Sequence, residues 1–162
     1  MKAIIAMDKN RAIGKKNQLP WPSIKDDFRW FKEFTTNKIL VVGHTTFSTL
    51  PKLKNRNLIV LTRTPYKHVD DYNVIYNSAH TYRNAMSIVN LDVQLKGELI
   101  VIGGAKTYEL FLPYIREFYV THVNGEFDAD TYMSPFEHLF DKQEVIREFE
   151  GEHKVLKYSK TV

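Results

Sequence analysis

Along the chain, short runs of consecutive apolar residues alternate with stretches where apolar positions recur every three or four residues. The runs predict strands at Lys2–Met7, Lys38–Gly43, Asn57–Thr62, Asn73–Tyr76, Glu98–Gly103 and Glu117–Val123. Ile39-Leu40-Val41-Val42 and Leu99-Ile100-Val101-Ile102 leave no polar face, as expected of parallel strands covered on both sides. The intervening stretches predict helices at Ile24–Phe34, Thr46–Leu50, Ala79–Val89 and Ala105–Leu112. Ser23, three residues before Asp26, reads as a capping box for the first of these, and Pro113 must stop the last. After residue 140 the pattern changes to two exposed-looking strands, Glu144–Phe149 and Lys154–Ser159, around the turn Glu150-Gly151-Glu152-His153. The expected fold is an α/β domain, with a central, mostly parallel twisted sheet flanked by helices and a C-terminal antiparallel β-hairpin.

The length of 162 residues, 43% hydrophobic and 13% aromatic, suits a single domain over 1–162 with one sizeable core. Two-ligand chemistry then has to share a cleft in one sheet. The opening apolar run is too short for a membrane span and lacks a small-residue cleavage site, so it reads as a buried strand. With no other stretch of membrane length, no membrane partner is expected. The absence of cysteine excludes disulfides and thiolate chemistry and fits a cytoplasmic protein. Lys and Arg total 23 against 19 Asp and Glu, a formal charge of +4. Because these basic residues are scattered and only Lys15-Lys16 are adjacent, a small anionic ligand is expected rather than nucleic acid. The six histidines, His44, His68, His80, His122, His138 and His153, show no ligand pair at helical spacing, so no metal site is expected and most should lie at the surface.

Neither G-x-G-x-x-G nor a P-loop occurs. Two strand-to-helix junctions nevertheless suit an anion: Gly43-His44-Thr45-Thr46 and Gly103-Gly104-Ala105-Lys106-Thr107-Tyr108. Each sets free backbone N–H groups and the positive end of a helix dipole at the carboxyl end of a buried strand. Either junction alone reads as a tight turn. Two in one small domain favour a diphosphate bridging two helix ends. Thr62-Arg63, closing the strand after the first junction, suits a phosphate monoester such as the 2′-phosphate that separates NADPH from NADH; a solvated strand-end arginine is the alternative.

In the segment Trp21 to Lys32, Asp27 lies one helical turn before Phe31. Ile24, Phe28, Phe31 and Phe34 mark the apolar side, so Asp27 projects at a greasy surface while Asp26 takes the capping position. A buried carboxylate costs several kcal/mol unless it gains partners. Lys25 and Arg29 point elsewhere, which leaves a ligand offering two parallel hydrogen bonds, as an N–C–N edge does. The alternative is a first-turn acid that stabilises the helix dipole.

Read in order, Ala6 with Ile13-Gly14 and Asn17-Gln18-Leu19-Pro20-Trp21, Asp27 with Trp30-Phe31-Lys32, Gly43 with Thr46-Phe47, Arg56, Ile102-Gly103-Gly104 with Tyr108, and Tyr119-Val120-Thr121 resemble the dihydrofolate reductases over essentially the whole chain. The Asp27/Phe31 spacing selects Asp27 over Asp26. The resemblance implies NADPH-dependent reduction of 7,8-dihydrofolate to tetrahydrofolate, with hydride going to C6 and a proton to N5. It implies catalytic parts for Asp27, Leu19, Trp21 and Thr121: Asp27 orients the pterin through its 2-amino group and N3, Thr121 supports that carboxylate, Leu19 sits on the closing loop, and a water brings the proton. Apolar walls are implied at Ile4, Phe28, Phe31, Leu50, Leu53 and Ile102, and a clamp for the substrate's glutamate at Arg56, assisted by Lys32 and Lys52. For NADPH, Ala6, Ile13, Gly14 and Leu19 are implied at the nicotinamide. His44, Thr45, Thr46, Thr62 and Arg63 are implied at the adenosine phosphates, and Ile102 with Gly103, Gly104, Ala105, Lys106, Thr107 and Tyr108 at the pyrophosphate. Leu19 stands where methionine is frequent in the family and His44 where arginine is, which leaves more of the 2′-phosphate to Arg63. A monomer is expected. The alternatives are a riboflavin-pathway pyrimidine reductase of the same fold and a catalytically silent nucleotide-binding module.

Overall fold

The computed structural model describes residues 1–63, 74–77 and 82–161. The strands are β1 (Lys2–Met7), β2 (Ala12–Gly14), β3 (Ile39–Gly43), β4 (Asn57–Leu61), β5 (Val74–Asn77), β6 (Ile100–Gly103), β7 (Glu117–His122), β8 (Thr131–Tyr132), β9 (Lys142–Phe149) and β10 (His153–Ser159). The helices are α1 (Lys25–Thr35), α2 (His44–Thr49), α3 (Tyr82–Gln94) and α4 (Ala105–Phe111). Eight strands form one sheet in the order β5-β4-β3-β6-β1-β7-β10-β9. All pairs from β5 to β7 are parallel, and β10 pairs antiparallel with both neighbours. Asn73, residues 79–81 of the expected third helix, His68 and His80 lie outside the described residues.

Alternate strand residues fall into two cores, one on each face. Ala3, Ile5, Val41, Val101 and Val120 bury one face together with Ile88 of α3 and Phe111 of α4. Ile4, Leu40, Val42, Ile100 and Ile102 bury the other together with Trp30 of α1. Apolar runs without a polar face are what a doubly covered sheet requires.

Several local expectations are corrected. No capping box forms: Ile24 is the N-cap of α1 and no side chain caps it. The helix starts one residue too late for Ser23 to reach its free amides, leaving Asp26 and Asp27 in the first turn to complement the dipole. The apolar side of α1 is also broader than expected, because Trp30 is buried and packs on Phe34 and Tyr119. Helix α3 runs five residues past Val89 and is followed by Gly97 in a left-handed conformation, φ 78, whose N–H bonds Asp92 O at 2.9 Å. In the hairpin only β9 is exposed; β10 is covered by β7 on one edge and β9 on the other and buries Val155 and Tyr158. Finally, β2 and β8 form a small second sheet that no periodicity announces.

Candidate functional site

The carboxyl ends of β1, β3, β4 and β6 open into one cleft of about 1170 Å³, walled also by α1, α2, α4 and the loop after β2. Its position follows from the topology. β1 continues the sheet on the far side of β6 from β3, so the loops leaving β1 and β3 diverge and leave a crevice over the strand ends.

One end of the cleft is organised by Asp27. On the helical wheel Asp27 stands inside the apolar arc of α1, between Trp30 and Phe34 on one side and Phe31 and Phe28 on the other. Seating Trp30 and Phe34 against Tyr119, with the Phe34 and Tyr119 ring centroids 4.4 Å apart, therefore draws Asp27 down to β7. There the buried Thr121 donates from Oγ1 to Asp27 Oδ1 at 2.6 Å. Burial pushes the Asp27 carboxyl above its ordinary range, opposed by the Thr121 hydrogen bond and the charge of His153. Phe28, 53% exposed, stands at the mouth while Phe31 lines the wall.

The other end is organised by two helix starts. Gly43 ends β3 and caps α2; Gly104 caps α4. A Cβ on Gly43 would come within 2.8 Å of Thr107 Oγ1, and one on Gly104 within 2.8 Å of Thr46 Oγ1. Each glycine thus makes room for the threonine of the opposite junction, a role the sequence did not reveal. Gly103 differs: its φ of 127 is the reason for glycine, since a Cβ there would make only ordinary contact with Tyr108. The first bond of α4 is Tyr108 N to Gly104 O at 2.9 Å, so the amides of Ala105, Lys106 and Thr107 precede the intrahelical ladder. Tyr108 is buried and donates from its hydroxyl to Ile4 O at 2.5 Å, and burial drives its pKa far upward.

The loop after β2 covers the cleft between these ends. Lys15 and Gln18 exchange backbone hydrogen bonds at 2.8 and 2.9 Å, and Lys16 and Asn17 between them are left-handed, with φ 49 and 62. That is a type I′ hairpin turn. Asp130 latches it, accepting from Lys16 N at 2.8 Å and donating from its own N–H to Gly14 O at 3.0 Å, while Lys15 pairs with Asp128.

Every residue expected at the cofactor lies on the cleft wall: Ala6, Ile13, Gly14 and Leu19 at the loop side; His44, Thr45, Thr46, Thr62 and Arg63 at one junction; Ile102 to Tyr108 at the other. Of those expected at the substrate, Ile4, Asp27, Phe28, Phe31, Leu50, Ile102 and Thr121 line it. Five expected site residues do not. Trp21 is buried edge-on against Phe127, ring centroids 6.1 Å apart. Lys32 and Lys52 are exposed outside the cleft, and Leu53 packs against the sheet core. Arg56 is buried beside the end of α1, donating to Thr35 Oγ1 at 3.1 Å and leaving Nε without a partner. Unexpected wall residues include Asn17, Gln18, Thr49, Pro51 and Thr131. The first two stand in the same loop motif as Leu19, whereas Thr131 reaches the wall only because β8 pairs with β2.

His122 and His153 are half-buried with fixed partners, not surface residues: His122 Nε2 meets the Tyr158 hydroxyl at 3.0 Å and His153 Nδ1 accepts from Asn124 N at 2.9 Å. Among the described residues no group of three or more His, Asp or Glu gathers to hold a metal, and no helix is long and apolar enough to cross a membrane.

A family model described as dihydrofolate reductase matches residues 1–161. The dihydrofolate reductase of Buchnera aphidicola subsp. Baizongia pistaciae is 34% identical over 137 residues, covering 84% of this chain and 78% of the relative. That of Staphylococcus haemolyticus is 32% identical over 143 residues, covering 88% and 80%. A solved dihydrofolate reductase from Enterococcus faecalis, complexed with NADP(H) and RAB-propyl, superposes with a TM-score of 0.75 at 24% identity, covering 99% of this chain and 96% of that one. At that identity the likeness is one of fold.

Proposed function

Since this chain belongs to the dihydrofolate reductase family, we propose that its cleft holds the pterin of the substrate at the Asp27–Thr121 end and the dinucleotide across the two helix starts. The reaction is the NADPH-dependent reduction of 7,8-dihydrofolate to 5,6,7,8-tetrahydrofolate. Two ligands have to fit, and about 1170 Å³ exceeds the ~300–1,000 Å³ of an ordinary single-ligand pocket. The residues at the junction end suit NADPH: Gly43 and Gly104 let the two helix starts close to van der Waals contact, and unbonded amides with the nearby Arg63 and His44 favour phosphates.

Bound NADPH supplies the hydride that goes to C6 of the pterin, and N5 takes a proton from solvent. Asp27, ionised, accepts two parallel hydrogen bonds from the N–C–N edge of the pterin, and Thr121 fixes the carboxylate plane in which they must lie. This orients the ring and raises the basicity of N5, with a water carrying the proton because Asp27 faces the opposite edge. Leu19 and the latched 15–18 turn exclude bulk water from the reacting faces. Phe28, Phe31, Leu50, Ile4 and Ile102 sandwich the flat rings. Arg56 is buried outside the cleft wall with an unpartnered Nε; we keep it as the candidate partner of the glutamate α-carboxylate, and Lys32 and Lys52, exposed outside the cleft, as added attraction for its tail. Trp21 acts indirectly, anchoring the end of the loop against Phe127.

The observation that carries these assignments is a carboxylate held by Thr121 in an apolar wall that opens into the same cleft as the paired glycine junctions. The test is NADPH consumption with dihydrofolate by the wild type and Asp27→Asn, repeated with NADH. Turnover should collapse in the variant while NADPH still binds; turnover like the wild type's would remove Asp27 from the mechanism. Tight NADPH binding without oxidation would point to the silent module, and oxidation with the aminopyrimidine substrate alone to the pyrimidine reductase.

A further inference from the structure

Arg11 stands outside the cleft wall, in the turn between β1 and β2, and is engaged on every side. Its Nε donates to Met133 O at 2.9 Å, its Nη2 to Ser134 O at 2.7 Å and its Nη1 to Glu137 Oε1 at 2.6 Å. Its guanidinium lies 5.1 Å from the centre of the Phe136 ring. Its own carbonyl accepts from Met133 N at 2.8 Å, and its backbone is left-handed, φ 67, a conformation that a non-glycine residue adopts at a cost. Only a planar fork with several donors reaches three acceptors spread along 133–137; a lysine ammonium offers one point of charge.

The contacts matter because of what they join. β2 has three residues and β8 two, paired only at Ala12↔Tyr132 and Gly14↔Thr131. A ribbon this short does not hold together by its own ladder. From the other flank of the same turn, the buried Asp8 accepts from Asn10 N, Ala12 N and Phe127 N at 2.8, 2.9 and 2.8 Å. Asp8 and Arg11 therefore tie the turn to both ends of the 127–137 segment. Between those ends lie Asp128, Asp130 and Thr131, which hold the 15–18 turn and face Gly14.

We propose that Arg11 is a positioning residue for hydride transfer: by bracing the β1–β2 turn on residues 133–137 it sets the Ile13–Gly14 wall and the root of the covering loop at the nicotinamide end of the cleft. This rests on the cofactor end assigned above. Loss of the brace lets β2 and β8 part, which widens the cofactor end and leaves Asp27 and Thr121, held by α1 and β7, where they are.

The test compares the wild type with Arg11→Met, which keeps an apolar stem over Phe136 but no donors, and with Arg11→Lys and Glu137→Gln. NADPH affinity, the single-turnover hydride step, thermal midpoint and affinity for a diaminopyrimidine antifolate without cofactor are measured on each. Arg11→Met should weaken NADPH binding and slow the hydride step about tenfold each, with antifolate affinity unchanged within about twofold. Arg11→Lys should fall between, and Glu137→Gln should lose least because its amide oxygen still accepts. Should Arg11→Met not fold, the milder pair decides by the same split. Unchanged NADPH binding and hydride transfer in folded variants sink the brace alone, as does an equal loss at both ends of the cleft that tracks the thermal midpoint. A wild type that binds no NADPH sinks the cofactor assignment and the brace with it.

Discussion

The two ends of the cleft are made selective by opposite means. At the junction end the chain removes side chains: Gly43 and Gly104 leave room for a threonine from the facing junction, and backbone amides remain to do the binding. At the Asp27 end it adds one, setting a carboxylate within the apolar arc of α1 and giving it the Thr121 hydroxyl as donor. The first end is sensitive to ångströms and the second to charge. Substitutions should therefore act through shape at one end and through protonation at the other.

The largest effect should come from neutralising Asp27. Asp27→Asn should lower turnover at neutral pH by about 10²-fold or more, with NADPH affinity almost unchanged, read by steady-state and equilibrium titration. The same substitution should stabilise the ligand-free protein. Burial raises the Asp27 pKa above its ordinary 3.8, so the folded chain holds this proton to higher pH than the unfolded chain. Stability then falls as pH rises through the window above 3.8, because the folded state must pay to ionise the group. The asparagine variant should melt higher than the wild type at neutral pH and alike below that window.

Next in size is Thr121→Val. Removing a hydrogen bond to the charged form raises the Asp27 pKa further, so the acid limb of the activity profile should move to higher pH. Substrate binding at neutral pH should weaken about tenfold, the order expected for a lost bond to a charged group. A pH profile superposable on the wild type's would detach Thr121 from the carboxylate.

Gly43→Ala should cost about fivefold in NADPH affinity, on the order of 1 kcal/mol, with pH dependence unmoved. Gly43 has φ −71 and ψ 151, which alanine tolerates, so the cost is the approach to Thr107 alone. In a Thr107→Ala background the cost of Gly43→Ala should vanish and in a Thr107→Ser background it should persist, because serine keeps the oxygen; a double-mutant cycle reads the difference. The smallest effect should come from Ser23→Ala, with the thermal midpoint moving by less than the equivalent of about 0.5 kcal/mol, because Ser23 caps nothing.

The sheet was legible because a strand buried on both faces cannot hide: Ile39 to Val42 and Leu99 to Ile102 admit few other readings. The junctions and Asp27 were legible for a related reason, since glycine at a strand end and a carboxylate inside an apolar arc are both locally anomalous. What escaped was set by tertiary contact. The ribbon of β2 and β8 is too short to carry a period, so Thr131 gave no sign of reaching the cleft. Ser23 carried a capping pattern, yet the seat of Trp30 on Tyr119 decides where α1 lies. Arg56 and Lys52 stand off the cleft wall because of the loop after α2, whose course is set by contacts such as Asn37 N to Asn55 O at 2.7 Å and by no pattern of its own.

The place of β1 in the sheet has a consequence for biogenesis. β1 lies between β6 and β7, which are translated roughly a hundred residues after it, beginning at 100 and 117. Until those are translated, Ile4 and Ile5 have no native ladder on either edge. The nascent chain must carry its central strand bare through most of synthesis, a condition that slows folding and invites chaperone capture. A ribosome stalled just before residue 100, with neither β6 nor β7 made, should present a polypeptide in which protease cleaves within β1.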